Sequence, residues 1–205
     1  MPPRRPRDAI TPFNRLLILF KGHPGVGKST VAKALAVRLR CPIIDKDDAR
    51  DSLSLIANAI DSAGLNNLSY AIMWRYAQSQ MAVGGPIIVD CPLARQELYE
   101  IGRALARKHG YSTIIVQCTL SDTAVWRTRL HSRMLQAKSA EASHKPQTWD
   151  QLQHLLQRYN GCDRWTEDAG LNCVIDIDTG SAAPEELASH IEASLLHHSI
   201  EGTAL

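Results

Sequence analysis

The sequence contains no run approaching the roughly 18–20 consecutive apolar residues of a membrane span, so no segment reads as a transmembrane helix. Its first residues, Met1 to Arg7, lack the apolar stretch of a secretory leader. No Cys-x-x-Cys pair occurs among Cys41, Cys91, Cys118, Cys162 and Cys173, and their number is odd. Neither a zinc site nor a disulfide framework follows from such spacing, and reduced thiols in a cytoplasmic protein are the better reading. Cys91, Cys118 and Cys173 sit in or beside apolar runs, where a thiol behaves as a small buried hydrophobe. An excess of one charge is lacking too. The formal net charge is +2, and Arg4, Arg5 and Arg7 against Asp8 account for it. Residues 14–205 are therefore in balance, which argues against strong non-specific nucleic-acid binding but leaves room for a local basic cleft. Residues 1–13 read as a disordered, basic, Pro-rich tail and 14–205 as one domain, with no internal repeat.

What is present is an alternation of short apolar runs with helical patterns. Leu16–Phe20, Ile43-Ile44, Pro86–Asp90, Ser112–Thr119 and Cys173–Ile177 read as strands. Between and after them, residues 29–39, 96–109, 123–136, 149–159 and 184–198 read as helices. Residues 47–83 are helical for most of their length, with breaks expected at Ala63-Gly64 and Asn66-Asn67. Residues 137–148 are polar, contain Pro146 and read as a mobile loop. This order predicts an α/β fold: a parallel five-stranded sheet covered on both faces, in three layers, with a helical lid.

The segment Gly22-His23-Pro24-Gly25-Val26-Gly27-Lys28-Ser29, followed by Thr30, satisfies G-x-x-x-x-G-K-[ST]. It lies directly between an apolar strand and a helix, the context the motif requires. Glycines let the backbone curl so that successive N–H groups face phosphate oxygens, and the helix N-terminus faces the same anion. Lys28 reaches the β- and γ-phosphates, and the Ser29 hydroxyl is placed for Mg²⁺. The motif implies a nucleoside triphosphate, with ATP favoured over GTP because no N-K-x-D guanine signature occurs. His23 occupies a variable position of the loop and receives no catalytic role.

Further stations follow in order: Ile44 to Arg50 (IDKDDAR), Ser69-Tyr70, Ile87 to Leu93 (IIVDCPL), Arg129-Leu130-x-x-Arg133 and Val174 to Thr179 (VIDIDT). With the phosphate loop they make residues 16–179 resemble the zeta-toxin and polynucleotide-kinase-like group of small P-loop kinases. The resemblance implies that Asp47 is the general base for an acceptor hydroxyl. Asp45 is the alternative base, or a Mg²⁺ holder through water. Helix capping is the competing reading of Asp47 and Asp48. Arg50, Tyr70 and Arg95 are candidates for the acceptor pocket, Tyr70 together with Trp74 unless the pair packs in the core. Asp90, a charge ending a buried strand, is placed as a Walker-B carboxylate for Mg²⁺ or for orienting the acceptor. Arg127, Arg129 and Arg133 lie on the lid helix, where a solvated basic face competes with a role at the transferring phosphoryl group. Thr179 falls near the adenine edge. The implied activity is ATP- and Mg²⁺-dependent phosphorylation of a small-molecule hydroxyl, without a membrane. A 5′-hydroxyl nucleic-acid kinase, a nucleotide-dependent binding switch and a toxin acting on a nucleotide-sugar are the alternatives.

Overall fold

β1 (Leu16–Lys21) is buried along its whole length. Parallel neighbours flank it on both sides: β3 (Ile87–Asp90) in the register Leu17↔Ile87 to Phe20↔Asp90, and β4 (Ser112–Thr119) from Leu16↔Ser112 to Lys21↔Gln117. β2 (Ile43–Asp45) and β5 (Val174–Asp178) complete a five-stranded parallel sheet of order β2-β3-β1-β4-β5. The computed structural model describes residues 13–136, 145, 146, 148–159, 165 and 173–200, without the side chains of 136, 158, 159 and 198–200.

Alternate side chains of β1 enter two separate cores. Ile18 and Phe20 pack with residues of α1 (Lys28–Leu39) and α7 (Pro184–Ile200), whereas Leu17 and Leu19 pack with residues of α3 (Ser62–Val83) and α4 (Gln96–Lys108). A strand sandwiched in this way needs apolar residues at every position, which is why the run is continuous rather than alternating. The expected three-layer α/β P-loop fold is the one observed. Because all strands run the same way, their C-terminal ends share one edge of the sheet. β1 lies between β3 and β4, so the chain departs from it in both directions and leaves a crevice at that edge.

The helical stretch after β2 differs from expectation. α2 (Lys46–Ser52) passes into a 3-10 turn at Leu53–Ile56, and α3 then runs unbroken through Gly64, Asn66 and Asn67. Asp61 is the reason. It has an extended backbone, and its Oδ1 accepts the Gly64 N–H at 2.8 Å, so the helix starts there rather than breaking. A Cβ on Gly64 would lie 2.7 Å from Ile60 Cγ2, so this glycine serves the crowded first turn. Two other expectations fall largely outside the described residues: the tail, 1–13, and the mobile loop, 137–148. Phe13, read as the last residue of the tail, is 5% exposed and belongs to the core. Among the described residues no helix is long and apolar enough to cross a membrane.

The Asp61 cap makes a measurable contribution. Asp61→Ala is expected to lower unfolding stability by about 1 kcal/mol in urea titration, while Asp61→Asn stays within a few tenths of the parent.

Candidate active site

The loop after β1 turns through conformations closed to most side chains. Gly27 has φ 97° and a Cβ there would stand 2.9 Å from Arg129 Nη1, while a Cβ on Gly22 would stand 2.5 Å from the Cys118 carbonyl oxygen. Gly27 is the N-cap of α1, and no side chain caps that helix. Its first N–H groups are thus available to an anion.

α5 (Thr123–Gln136) holds this loop from outside. Trp126 Nε1 donates to the Pro24 carbonyl at 3.0 Å, and Trp126 stacks on His23 with ring centroids 6.2 Å apart. Arg129 Nη1 donates to the Val26 carbonyl and to Thr179 Oγ1, each at 3.0 Å, and Nη2 donates to the Thr179 carbonyl at 3.0 Å. Thr179 Oγ1 also donates to the Val26 carbonyl, and the Thr179 N–H donates to the Thr119 carbonyl at 2.9 Å. In a trans peptide the N–H points opposite to the C=O. Fixing the Pro24 and Val26 carbonyls toward α5 therefore turns the N–H groups of Gly25 and Gly27 away from it.

A cleft of about 1040 Å³ opens at this edge of the sheet. His23, Pro24, Gly25, Gly27, Lys28, Ser29 and Thr30 line one side; Lys46, Asp47, Tyr70, Arg95, Arg133 and Lys145 are among those lining the rest. Asp90 lies beneath, 1% exposed, with Oδ1 3.4 Å from Lys28 Nζ. Among the described residues neither Asp90 oxygen accepts a hydrogen bond. A buried carboxylate with unmet lone pairs beside the Ser29–Lys28 end of the loop fits a divalent cation held partly by phosphate and water oxygens, as Mg²⁺ prefers. No group of three or more His, Cys, Asp or Glu suited to a metal occurs among the described residues, so a dedicated protein cage is not the arrangement.

β2 pairs with β3 so that Asp45 stands opposite Asp90. Asp45 is also the N-cap of α2, its Oδ1 accepting the Asp47 N–H at 2.8 Å. Burial first, and then the Asp90 charge, push its carboxyl up to about 6, with the Asp47 N–H opposing. Burial works to lower the pKa of Lys28, but Asp90, Asp47 and Asp45 outweigh it and the ammonium is held above its ordinary value. Asp47 extends into the cleft and pairs with Lys46 Nζ at 3.0 Å and Lys145 Nζ at 2.8 Å.

The sheet edge therefore gathers most of the expected site, with some residues placed elsewhere. Arg129 and Thr179 do not line the cleft but brace the phosphate loop from behind. Val26 is buried at 1% exposure, with its carbonyl serving that brace. Arg50 is half-buried and not part of the cleft lining, because α2 carries it past the opening. Trp74 is core, packed over Gly102 of α4, where a Cβ would meet its ring at 2.7 Å; Tyr70, one turn earlier, does reach the cleft. Arg127 lies over the Trp149 ring at 4.6 Å, at the start of α6 (Trp149–Tyr159).

A family model described as an AAA domain matches residues 17–159. The chain belongs to this AAA-domain family. The match spans the phosphate loop, α5 and α6, the elements just described. Solved structures share the fold at low identity. A candidate kinase from Chloroflexus aurantiacus is 18% identical, with 88% of this chain and 98% of that chain covered and a TM-score of 0.67. A gluconokinase from Sinorhizobium meliloti is 16% identical over 91% and 94% of the two chains, TM-score 0.59. The APS kinase of Mycobacterium tuberculosis, solved with AMPPNP and APS, is 16% identical over 89% and 98%, TM-score 0.58. No curated protein sequence matches the chain.

Sequence reasoning missed three contributors to this AAA-domain site. Lys46 is hidden inside an acidic run, and Lys145 lies in a stretch read only as loop. Lys21 precedes the loop and is 1% exposed; its Nζ donates to the Leu93 carbonyl at 3.0 Å and lies 4.1 Å from the Trp165 ring centroid. A lysine ending an apolar run was the available signal, since a fully buried ammonium needs such partners.

The raised Asp45 carboxyl sets a pH dependence. The folded state keeps its proton up to about pH 6, whereas the unfolded chain releases it near pH 4. Stability is therefore lost as pH rises between those values and stays lower above them. Asp45→Asn retains the cap and removes the penalty, so in metal-free protein its stability relative to the parent is expected to improve by on the order of 2 kcal/mol from pH 4 to pH 8. Denaturant titration at both pH values checks this.

Proposed function

We propose that the protein is an ATP- and Mg²⁺-dependent kinase that transfers the γ-phosphoryl group to a hydroxyl of a small-molecule acceptor. The observation that carries this reading is one cleft joining the phosphate loop to a separate polar wall that holds a carboxylate, Asp47. A site built only to hold a triphosphate has no need of that second wall. Similarity to a gluconokinase and an APS kinase supports the same class. Within the AAA-domain family we keep the zeta-toxin and polynucleotide-kinase-like group as the nearest reading, on the order of the sequence stations.

In this mechanism the loop N–H groups and Lys28 hold the β- and γ-phosphates. Ser29, with Asp90 behind it, would hold Mg²⁺, whose charge neutralises the phosphate oxygens. Arg133 reaches the cleft from α5 and stabilises charge on the transferring group. Asp47 orients the acceptor hydroxyl and accepts its proton. Phosphoryl transfer passes through a loose transition state, so positioning matters more than early deprotonation. Asp45 is the competing proton acceptor, since burial and the Asp90 charge push its carboxyl up to about 6. Arg129 acts by keeping the loop in shape. A cytoplasmic location accords with this chemistry.

The test is ADP release from Mg·ATP across nucleosides, sugars, amino alcohols and oligonucleotide 5′ ends. One compound class is expected to stimulate release, and Lys28→Ala to lower the stimulated rate by about 10²–10³-fold. Asp47→Asn and Asp45→Asn identify the base by which of them removes the larger part of kcat. ATP bound tightly with no acceptor raising the rate would instead favour a binding switch.

A further inference from the structure

We propose that the acceptor is a small anion, carrying a carboxylate or phosphate group in addition to its reacting hydroxyl; this rests on the kinase reading and names its substrate class. Five cationic residues line the cleft among the described residues, Lys28, Lys46, Arg95, Arg133 and Lys145, against one carboxylate, Asp47. The triphosphate accounts for Lys28 and Arg133. Asp45 and Asp90 face one another across β2 and β3 and act on Lys28, so they do not cancel the others. Three cations then remain on the acceptor wall.

Two of them share one anion. Lys46 and Lys145 pair with different oxygens of Asp47, drawing together the start of α2 and the segment before α6. Arg95, the N-cap of α4, makes no ion pair with a described carboxylate. Lys46 is 6% exposed. Its ammonium has one Asp47 oxygen at 3.0 Å and the Tyr70 ring centroid at 5.7 Å, and a buried cation held by so little negative charge gains from a second anion. α3 and α4 pack on the sheet face opposite α1, and α2 packs against α3, so Lys46 on α2 and Arg95 at the start of α4 belong to the wall away from the phosphate-loop helix. Asn66 and Tyr70 supply neutral hydrogen-bonding groups there, suited to hydroxyls. The burial of Lys46 favours a small molecule over a polymer, because the anion must enter the cleft to reach it.

The test is calorimetric titration of the full-length protein saturated with Mg²⁺ and a non-hydrolysable ATP analogue. The probes are matched sets: glycerol, glycerate and glycerol 3-phosphate; glucose, gluconate and glucose 6-phosphate; adenosine and AMP; and a single-stranded oligonucleotide with a 5′ hydroxyl. At least one anionic member is expected to bind about tenfold or more tightly than its neutral counterpart, and the carboxylate and phosphate arms tell the two groups apart. Arg95→Gln is expected to cut that preference to about threefold or less, and Arg95→Lys to retain most of it. The Arg95 side chain is exposed and caps nothing, so the fold survives the change. No anionic member binding better than its neutral counterpart overturns the proposal, as does binding of the oligonucleotide alone. So does a preference unchanged in both Arg95→Gln and Lys46→Met. Anion preference without acceptor-dependent ADP release supports this inference and counts against the kinase reading, so the two fail separately.

Discussion

A carboxylate placed at the end of a fully buried strand is the constraint around which this site is arranged. Asp90 follows Ile87, Ile88 and Val89 into the sheet interior with 1% of its surface exposed. An isolated charge cannot stay there, because desolvation costs several kcal/mol unless a counter-charge or metal compensates. The compensation comes from the phosphate loop, through Lys28 at 3.4 Å. Parallel pairing of β1 with β3 sets that approach, since Phe20 stands opposite Asp90 and the loop begins two residues later. The same sheet then brings Asp45 opposite Asp90, and the repulsion between them contributes to the raised Asp45 carboxyl. Geometry and proton affinity at this edge follow from the two registers that β3 keeps with β1 and β2.

A second constraint acts from the far side of the loop. A glycine-rich turn has little intrinsic shape, and its entropy must be removed if it is to present N–H groups in order. α5 removes it with two side chains one turn apart, Trp126 on the Pro24 carbonyl and Arg129 on the Val26 carbonyl. Thr179, at the end of β5, completes the brace. The arginine pair of α5 is thus divided by position. Arg129 is consumed by structure, whereas Arg133, four residues on, faces the cleft. An i,i+4 spacing puts two residues on one face of a helix, but it does not say which end of that face meets protein and which meets ligand.

This marks how far the sequence was readable. Strands showed as continuous apolar runs because a doubly covered parallel sheet demands them, and the phosphate loop showed because its geometry tolerates few residue types. Asp90 was legible for the same reason: a charge after Ile-Ile-Val is costly without a role. The start of α3 was not. Gly64 and the two asparagines carry breaker propensities, yet Asp61 capping the Gly64 N–H fixed the helix ahead of them. Arg50 and Arg95 look alike as sequence, and only the paths of α2 and α4 decide which reaches the cleft. Lys145 was least legible, because its pairing with Asp47 spans almost a hundred residues and depends on how the chain returns from α5.

Asp47 joins these strands of argument. Its carboxylate lies between the ammonium groups of Lys46 and Lys145, an arrangement that fits two roles at once. Toward the hydroxyl of the proposed acceptor it would be an oriented acceptor of a hydrogen bond. Toward the lysines it is the counter-ion that keeps them in place before a substrate arrives. On the proposed reading an incoming anion would take over part of that second duty, and an Asp47 oxygen turned away from a lysine would accept the hydroxyl proton. Charge on the substrate would in this way couple binding to assembly of the base. A neutral compound of similar size would leave Asp47 tied to both cations, and the cleft would reject it through lost positioning as much as through lost affinity.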